Sequence, residues 1–373
     1  MSKVEWKKLG DVANLVRGKV ISKDYIRDNE GDYPVYSSQT ANDGVMGCID
    51  SYMFAGDYLT WTTDGAYAGT VFRRKGKFNI TNVCGLIDIN DECLNQDFLY
   101  YWLTLTAKSY VLEGMGNPKL MSNVASNIKI PILPLARQKE IVGILDTFTS
   151  SIENLKEQIA LRRKQYEYYR DQLLDLEGKE GVEMKTLGLI CSFIRGPFGG
   201  ALKKEIFTEE GYVIYEQQHA IYGKWDFRYH ISEEKFQEMK RFAVNAGDII
   251  MSCSGTMGKT SIVPDDYERG IINQALLKLT TNNEVINRYI KLYMDSKWFQ
   301  DGLKKQTAGG AIQNVASVSV LKNIKLPVPS ISEQQRIVDI LDKFEASIQN
   351  LEAQLAQREK QYEYYRNKLL TFE

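Results

Sequence analysis

Apolar residues recur at alternating spacings of three and four along two stretches of the chain, residues 135–177 and 330–373. This spacing, sustained over about five heptads, predicts two long coiled-coil helices. At ~1.5 Å per residue each helix would be a rod of roughly 50 Å. The first stripe comprises Ile141, Leu145, Phe148, Ile152, Leu155, Ile159, Arg162, Tyr166, Tyr169, Leu173 and Leu176. The second comprises Ile337, Leu341, Phe344, Ile348, Leu351, Leu355, Arg358, Tyr362, Tyr365, Leu369 and Phe372.

The two stripes belong to an internal repeat. Shifting the sequence by 196 positions superposes residues 127–174 on 323–370, and the string "KQYEYYR" occurs in both copies. Roughly half of the superposed positions are identical. Weaker similarity precedes each copy, as in "VEWKKLGDVANLVRG" and "VEMKTLGLICSFIRG". A chain ordered as globule, rod, globule, rod closes on itself when the rods are antiparallel, so the stripes are predicted to bury each other with approximate two-fold symmetry.

The parts that precede the rods mix strand and helix patterns. "KFNITNVCGLIDI" and "GDIIMS" are β-rich runs, whereas "QDFLYYWLTL" and "NRYIKLYMDSKWFQ" have helical periodicity. We therefore predict an α+β protein in which two mixed α/β domains are separated by two long helices that form an antiparallel, pseudo-two-fold symmetric intramolecular coiled coil. The predicted boundaries are a first globular domain at 1–134, a helical region at 135–177, a second globular domain at 178–329 that begins with a short linker at 178–181, and a second helical region at 330–373.

Composition adds less than the pattern does. The formal net charge is −1, with 47 basic and 48 acidic residues, so a nucleic-acid surface would require local segregation of charge. The five cysteines are odd in number and form no C-x-x-C pair, which suggests neither a disulfide framework nor a cysteine zinc site. No run approaches the ~18 apolar residues that span a bilayer. We expect a globular protein of the reducing cytoplasm, without a membrane segment.

Catalytic and metal-binding motifs are weak in this sequence. The stretch "SCSGTMGKTS" ends like a phosphate-binding P-loop, but Cys253 stands where that loop needs its first glycine. The two histidines, His219 and His230, match neither a zinc spacing nor a nucleophile triad. An ordinary glycine-rich loop and ordinary histidines explain these features better. We predict no catalytic residue, no metal site and no cofactor in this chain.

Candidate nucleic-acid contacts form three kinds of cluster. "FRRKGKF" places four cations between aromatic residues, as a phosphate-gripping loop could, although a solvated hairpin turn explains it about as well. "SSQT" and "EQQH" occupy equivalent places in the two halves with different letters, and amides and hydroxyls can read base edges, although ordinary loop polarity explains each cluster alone about as well. The glycine-rich loops add further polar residues. The predicted DNA-binding residues are Ser38, Gln39, Thr40, Thr62, Thr63, Arg73, Arg74, Lys75, Lys77, Lys203, Lys204, Gln217, Gln218, His219, Ser254, Thr256 and Lys259.

The combination of motifs resembles the specificity subunit of type I restriction-modification systems. The segments that carry the resemblance are "IPILPLARQKEIVGILDTF" and "LPVPSISEQQRIVDILDKF", each of which leads into a heptad rod containing "KQYEYYR". The opening "VEWKKLGDV" and the strands that begin with Gly-Asp are similar to parts of that family's target recognition domains. The resemblance covers essentially the whole chain and is most specific in the helical regions.

The resemblance implies a function as well as a fold. It implies that each recognition domain reads one half of a bipartite double-stranded DNA site, and that the helices set the spacer and dock two modification subunits. Those partners would use adenosylmethionine to methylate adenine at N6, and restriction subunits with ATP and magnesium would join them. The residues of the two stripes from Leu145 to Tyr169 and from Leu341 to Tyr365 would then form the coiled-coil and subunit interface. The alternative is a coiled-coil adaptor that joins proteins without touching DNA.

Overall fold

The computed structural model describes residues 4–114, 116–198, 200–307 and 318–372. The chain divides into two compact units: unit 1 comprises Met1–Leu155 with Gln354–Glu373, and unit 2 comprises Lys156–Ala353. Each unit therefore combines one globular part with segments of both long helices. None of the helices in these described ranges is long and apolar enough to cross a membrane.

Unit 1 is built on one mixed sheet that is flanked by helices. In chain order its described elements are β1 (Glu5–Lys8), α1 (Leu9–Val12), β2 (Ala13–Arg17), α2 (Lys23–Asp28), β3 (Glu30–Tyr36), β4 (Val45–Ile49), β5 (Phe54–Thr62), β6 (Val71–Ile80), β7 (Cys84–Ile89), α3 (Gln96–Thr106), α4 (Ser122–Ala125), β8 (Lys129–Ile132) and the first part of α5 (Leu135–Leu174). The strands of the sheet follow the order β2-β7-β5-β6-β3-β4. Separately, β1 pairs with β8 in antiparallel fashion.

The core of unit 1 lies between this sheet and α3. Asn95 caps α3 by accepting a hydrogen bond from the Phe98 N–H at 2.9 Å, and the helix then buries one apolar face. Trp61 on β5 is buried, and its indole Nε1 donates to the Leu120 carbonyl at 2.9 Å. Satisfying that donor removes the cost of burying a polar group inside the core.

Unit 2 repeats this plan with shorter strands. Its described elements are β9 (Glu183–Thr186), α6 (Leu187–Ile190), β10 (Cys191–Arg195), β11 (Phe207–Thr208), β12 (Tyr212–Tyr215), α7 (Gln217–Tyr222), β13 (His230–Ile231), α8 (Glu233–Glu238), β14 (Ile249–Ser252), β15 (Thr260–Ile262), β16 (Gly270–Ile272), β17 (Leu276–Thr281), α9 (Asn287–Met294), α10 (Lys297–Thr307), α11 (Val318–Lys322), β18 (Lys325–Val328) and, up to Ala353, α12 (Ile331–Leu369).

The strand orders of the two units correspond. In unit 2 the sheets run β10-β17-β14-β15 and β11-β13-β12-β16, and β18 pairs with β9. The parallel pair of β12 with β16 matches the parallel pair of β3 with β6 in unit 1. In unit 1 the long strand β6 continues through both regions and joins them into one sheet. In unit 2 that strand is interrupted between β15 and β16, so two sheets form.

The segment "NRYIKLYMDSKWFQ" differs from its prediction as one helix. It forms α9 and α10 with a break at Asp295 and Ser296. Ser296 is fully buried, and its hydroxyl accepts a hydrogen bond from the Phe299 N–H at 3.4 Å, as an N-cap does. Serine competes for backbone hydrogen bonds in this way, which favours a helix start over a helix interior.

The long helices pack in antiparallel fashion within each unit. In unit 2, Arg163, Tyr166 and Tyr169 of α5 contact Glu352, Glu345 and Phe344 of α12, so that rising numbers on one helix meet falling numbers on the other. In unit 1, Phe148 stacks on Tyr365, and Phe372 packs on Trp102 of α3. The predicted fold class is confirmed: two mixed α/β units are combined with two long helices whose segments pair antiparallel.

Candidate nucleic-acid interface

In each unit, four turns that follow strands are tied together by backbone hydrogen bonds, and we call this set of turns the loop frame. In unit 1 the Thr63 N–H donates to the Val83 carbonyl at 3.1 Å, and the Thr81 N–H donates to the Tyr36 carbonyl at 2.8 Å. The fourth turn joins through the Gly18 N–H. The frame therefore gathers the segments that follow β2, β3, β5 and β6.

The loop frame of unit 2 has the same connections. The Cys253 N–H donates to Ala275 and the Asn273 N–H donates to Tyr215, both at 2.9 Å. Gly196 closes the fourth turn through a bond to Leu276 at 3.0 Å. Because these bonds join backbone groups, the frame is maintained although the side chains of the two units differ.

A glycine is required where the first turn crosses the frame. A Cβ atom on Gly18 would lie 1.9 Å from the carbonyl oxygen of Ile80, and one on Gly196 would lie 1.8 Å from that of Asn273. No side chain fits so close to backbone, so both "RG" pairs reflect close approach of two turns. The recurrence of glycine at this position in both halves is therefore explained by packing.

Two predicted site residues meet on the frame of unit 2. The Ser254 hydroxyl donates to Gln217 Oε1 at 2.9 Å, and Gln217 Nε2 donates to the Ser254 carbonyl. The equivalent frame positions of unit 1 are Ser38 and Asp64, because each follows the matching backbone bond. One Asp64 carboxylate oxygen, Oδ1, is buried without a hydrogen-bond partner among the described residues. The two frames therefore present different side-chain chemistry at the same places.

Several predicted DNA-binding residues are buried and already bonded, which corrects their expected exposure. Thr62, Thr63 and His219 are fully buried. The Thr62 hydroxyl donates to the Tyr67 carbonyl, and Thr63 accepts from Arg17 at 3.3 Å. His219 accepts from the Glu216 N–H through Nδ1 at 2.7 Å, which leaves Nε2 to bond the Asp226 carbonyl at 3.0 Å. The bonds of these side chains are therefore made within their own unit.

The predicted basic loop is a strand. Arg73, Arg74, Lys75 and Lys77 lie on β6, paired with β5, so neither the loop nor the alternative hairpin turn expected at "FRRKGKF" forms. Neighbouring residues on a strand face opposite sides, and the two arginines separate accordingly. Arg74 is 2% exposed, pairs with Asp43 at 2.6 Å and lies 3.6 Å from the Tyr36 ring centroid.

The remaining predicted DNA-contact residues are at least partly exposed to solvent on their loops and strands. Lys75, Lys77, Lys203, Lys204, Gln218, Thr256 and Lys259 are exposed, and Ser38, Gln39 and Thr40 are half-buried. Lys259 lies at the end of the turn from β14 to β15, so a strand follows where a P-loop would need a helix. Nucleotide binding by this loop is therefore not supported. Contact of these residues with DNA stays a prediction.

The arginines of the heptad stripe cover phenylalanines. In unit 2 the Arg162 guanidinium lies 5.8 Å from the Phe344 ring centroid, and in unit 1 Arg358 lies 5.7 Å from that of Phe148. Tyr169 and Tyr365 stack on the same phenylalanines, yet they remain 45% and 41% exposed. Each stacked tyrosine therefore contributes one face to the helix pair and presents the other to solvent.

The other predicted interface positions differ in depth. Leu145, Ile152, Ile159 and Leu341 are buried, and Phe148, Leu155, Arg162, Tyr166, Phe344, Ile348, Leu351, Leu355, Arg358 and Tyr362 are partly buried. Tyr166 donates its hydroxyl to Glu345 at 2.6 Å. Burial and this carboxylate both raise the pKa of Tyr166 above its ordinary value of 10.0, which favours the protonated phenol that donates this bond.

An ion group that the sequence did not predict ties each globular part to a long helix. In unit 1, Arg73 pairs with Asp97 at 2.8 Å and with Asp146 of α5 at 3.2 Å, and Tyr101 donates to Asp146 at 2.6 Å. Burial by itself lowers the pKa of Arg73, but Asp97, Tyr101 and Asp146 together raise it by more, so the net shift is upward. Arg73 is therefore a structural cation in this structure.

Unit 2 builds its ion group from a different element. Arg288 of α9 pairs with Asp342 at 2.7 Å and with Glu345, both on α12. Asp146 and Asp342 are equivalent positions of the repeat, whereas the arginines come from a strand in one unit and a helix in the other. The repeat of the acidic position was visible in the sequence; the arginine partners were not.

The family model for the type I restriction modification DNA specificity domain matches residues 1–162 and 179–359. The chain belongs to this family. A Mycoplasma pneumoniae protein described as a type I specificity subunit is 30% identical, covering 97% of this chain and 96% of that protein. A Haemophilus influenzae protein described as a type I restriction enzyme specificity subunit is 34% identical over 100% of this chain and 96% of its own length.

Solved structures share the fold of this specificity subunit. The type I S subunit from M. genitalium aligns with a TM-score of 0.61 at 18% identity, covering 100% of this chain and 97% of that one. A chain from a structural study of complex assembly in the type I restriction-modification system aligns with a TM-score of 0.64 at 17% identity, covering 99% and 97%. At these identities the likeness concerns the fold. The predicted family is confirmed, and the globular parts are its target recognition domains.

Proposed function

We propose that each recognition domain of this specificity subunit reads one half of a bipartite double-stranded DNA site. One observation carries the proposal: the same loop frame occurs in both units, with Ser38 and Asp64 in one replaced by Gln217 and Ser254 in the other. An identical backbone frame with different polar side chains suits two readers of different base sequences. Amides, hydroxyls and carboxylates discriminate base edges in the major groove through their donor and acceptor patterns.

Phosphate contacts would fix the register of each domain on the duplex. Exposed cations that could supply these phosphate contacts are Lys203 and Lys204 in unit 2 and Lys75 and Lys77 in unit 1. Neutralised phosphates release counterions, so binding should weaken steeply with salt. Arg73 and Arg74 are left out of this set because they pair with carboxylates inside unit 1.

The helices would set the spacer and dock two modification subunits. Support comes from the exposed faces of Tyr169 and Tyr365 and from the neighbouring exposed Tyr168 and Tyr364. Aromatic residues with one packed and one free face are typical anchors of protein interfaces. The modification subunits would supply adenosylmethionine and adenine-N6 methylation, and restriction subunits would bring ATP and magnesium. This chain would contribute recognition and assembly.

Sequencing of methylated adenines in cells with and without this gene tests the function. The proposal expects a split motif, with a fixed run of unread base pairs, that disappears when the gene is deleted. In a gel shift, this chain together with the purified modification subunit should bind a duplex that carries this motif, and the binding should weaken as the salt concentration rises. An adaptor that never touches DNA predicts unchanged methylation and no shift, and that pair of results would exclude the proposal.

A further inference from the structure

The first turn of each long helix carries a fully buried glutamine. Gln138 on α5 and Gln334 on α12 are both 0% exposed, and they occupy equivalent positions of the repeat. A side-chain amide offers two donors and one carbonyl acceptor, and leaving these unpaired inside a protein is costly. Their bonds therefore show what the buried position requires.

Gln138 joins three segments of unit 1. Its Oε1 accepts from the Asn95 N–H at 2.7 Å, while Nε2 donates to the carbonyls of Cys93 and Leu133, each at 2.7 Å. Cys93 and Asn95 belong to the loop that enters α3, and Leu133 follows β8. One side chain thus bonds the recognition domain to the start of α5 at three backbone groups.

Gln334 makes the same three bonds in unit 2. Its Oε1 accepts from the Ile286 N–H at 2.9 Å, and Nε2 donates to the carbonyls of Glu284 at 3.0 Å and Pro329 at 2.9 Å. The partners differ in residue type from those of Gln138, but every bond is made to backbone. The glutamine can therefore stay the same while the recognition domains around it diverge.

A second attachment lies further along each helix. The ion groups at Asp146 and Asp342 follow the glutamines by about two helical turns, or ~12 Å. A domain bonded to a helix at two separated points cannot tilt on one of them without disturbing the other. The glutamine, being buried and uncharged, is the attachment that salt does not screen.

We propose that Gln138 and Gln334 are positioning residues that fix the angle between each recognition domain and its helix, and so the register at which its half-site is read. This inference rests on the proposed function. A glutamine that only stabilised the fold would affect the amount of active protein, whereas a positioning glutamine affects which spacer lengths are methylated. The two roles are therefore separable by sequencing.

The test uses the whole specificity subunit, expressed with its modification subunit, and methylated-adenine sequencing. Gln138→Met preserves length and apolar bulk but removes all three bonds. We expect at least a tenfold rise in the share of methylated sites whose spacer differs by one base pair, which corresponds to about 1.4 kcal/mol of lost discrimination. Gln334→Met should have the same effect. Lys139→Met, an exposed neighbour, is the matched control and should keep one spacer.

Stability is controlled with Ile130→Ala, which removes a buried side chain of unit 1 that makes none of the Gln138 bonds. If Ile130→Ala lowers the Tm as much as Gln138→Met and broadens the spacer equally, the positioning role is overturned. Gln138→Glu, which keeps an acceptor for the Asn95 N–H, serves if the methionine variant does not fold. A single unchanged spacer in folded Gln138→Glu would also overturn it. If the wild type yields no bipartite motif, the proposed function fails instead.

Discussion

Lengthening both long helices by four residues should lengthen the unread spacer by two base pairs. The insertions would lie between Leu155 and Lys156 and between Ala353 and Gln354, where each helix passes from one unit to the other. Four residues add ~6 Å and ~400° of turn, or about 40° beyond one full turn. Two base pairs of B-DNA advance ~6.8 Å and about 70°. The mismatch is therefore about 1 Å and 30°, which small adjustments of the coiled coil can absorb.

A seven-residue insertion at the same points is the matched control. It preserves the heptad pattern, so the helices should still pair. It adds ~10.5 Å but ends about 20° short of two full turns, whereas three base pairs advance ~10 Å and about 105°. The two recognition domains would then be misaligned on the DNA by roughly 125°, and methylation should be lost although the protein folds. Methylated-adenine sequencing, with circular dichroism to verify helix content, measures both variants. An unchanged spacer in the active four-residue variant, or full activity of the seven-residue variant, would refute the reasoning.

Two further predictions concern groups whose pKa values the fold shifts. Burial raises the pKa of the Cys253 thiol to about 11 and that of Cys84 to about 12, so at pH 8 a thiol reagent should label the exposed Cys93 first and reach these two only after unfolding. Burial, and then the hydrogen bond to Asp146, raise the pKa of Tyr101 above its ordinary value of 10.0. The folded state therefore favours the protonated phenol, a contribution that is complete below about pH 10 and is lost as the pH rises further. The unfolding free energy of the wild type should therefore fall between pH 10 and 11. In Tyr101→Phe this fall should be smaller, by at most the pH dependence that one proton causes. Equal slopes against pH in denaturant titrations of both proteins would contradict this.

The sequence was sufficient for the features that rest on periodicity. The three-four spacing from Ile141 to Leu173 predicted a long helix, and α5 runs from Leu135 to Leu174. The spacing works because one helical face must stay apolar over many turns to remain buried. Repetition of the string "KQYEYYR" likewise indicated two related halves.

The parts that failed depend on contacts between distant residues. "FRRKGKF" looked like an exposed basic loop. Arg74 can be buried because its guanidinium pairs with Asp43 and lies over the ring of Tyr36, and neither partner is close in sequence. Gln138 recurs as Gln334 in the repeat, but nothing in the sequence indicates that either side chain is buried. Gln138 can be buried because its amide N–H groups donate to backbone carbonyls that only the folded chain brings within reach.

Exchange of the first recognition domain tests the central claim most directly. Residues 1–134 would be replaced by the corresponding domain of a related specificity subunit, with the helices and the second domain unchanged. Sequencing of methylated adenines should show that one half-site changes while the other half-site and the spacer stay as in the wild type. A motif that changes in both halves, or in neither, would contradict the account in which each unit reads its own half of the DNA site.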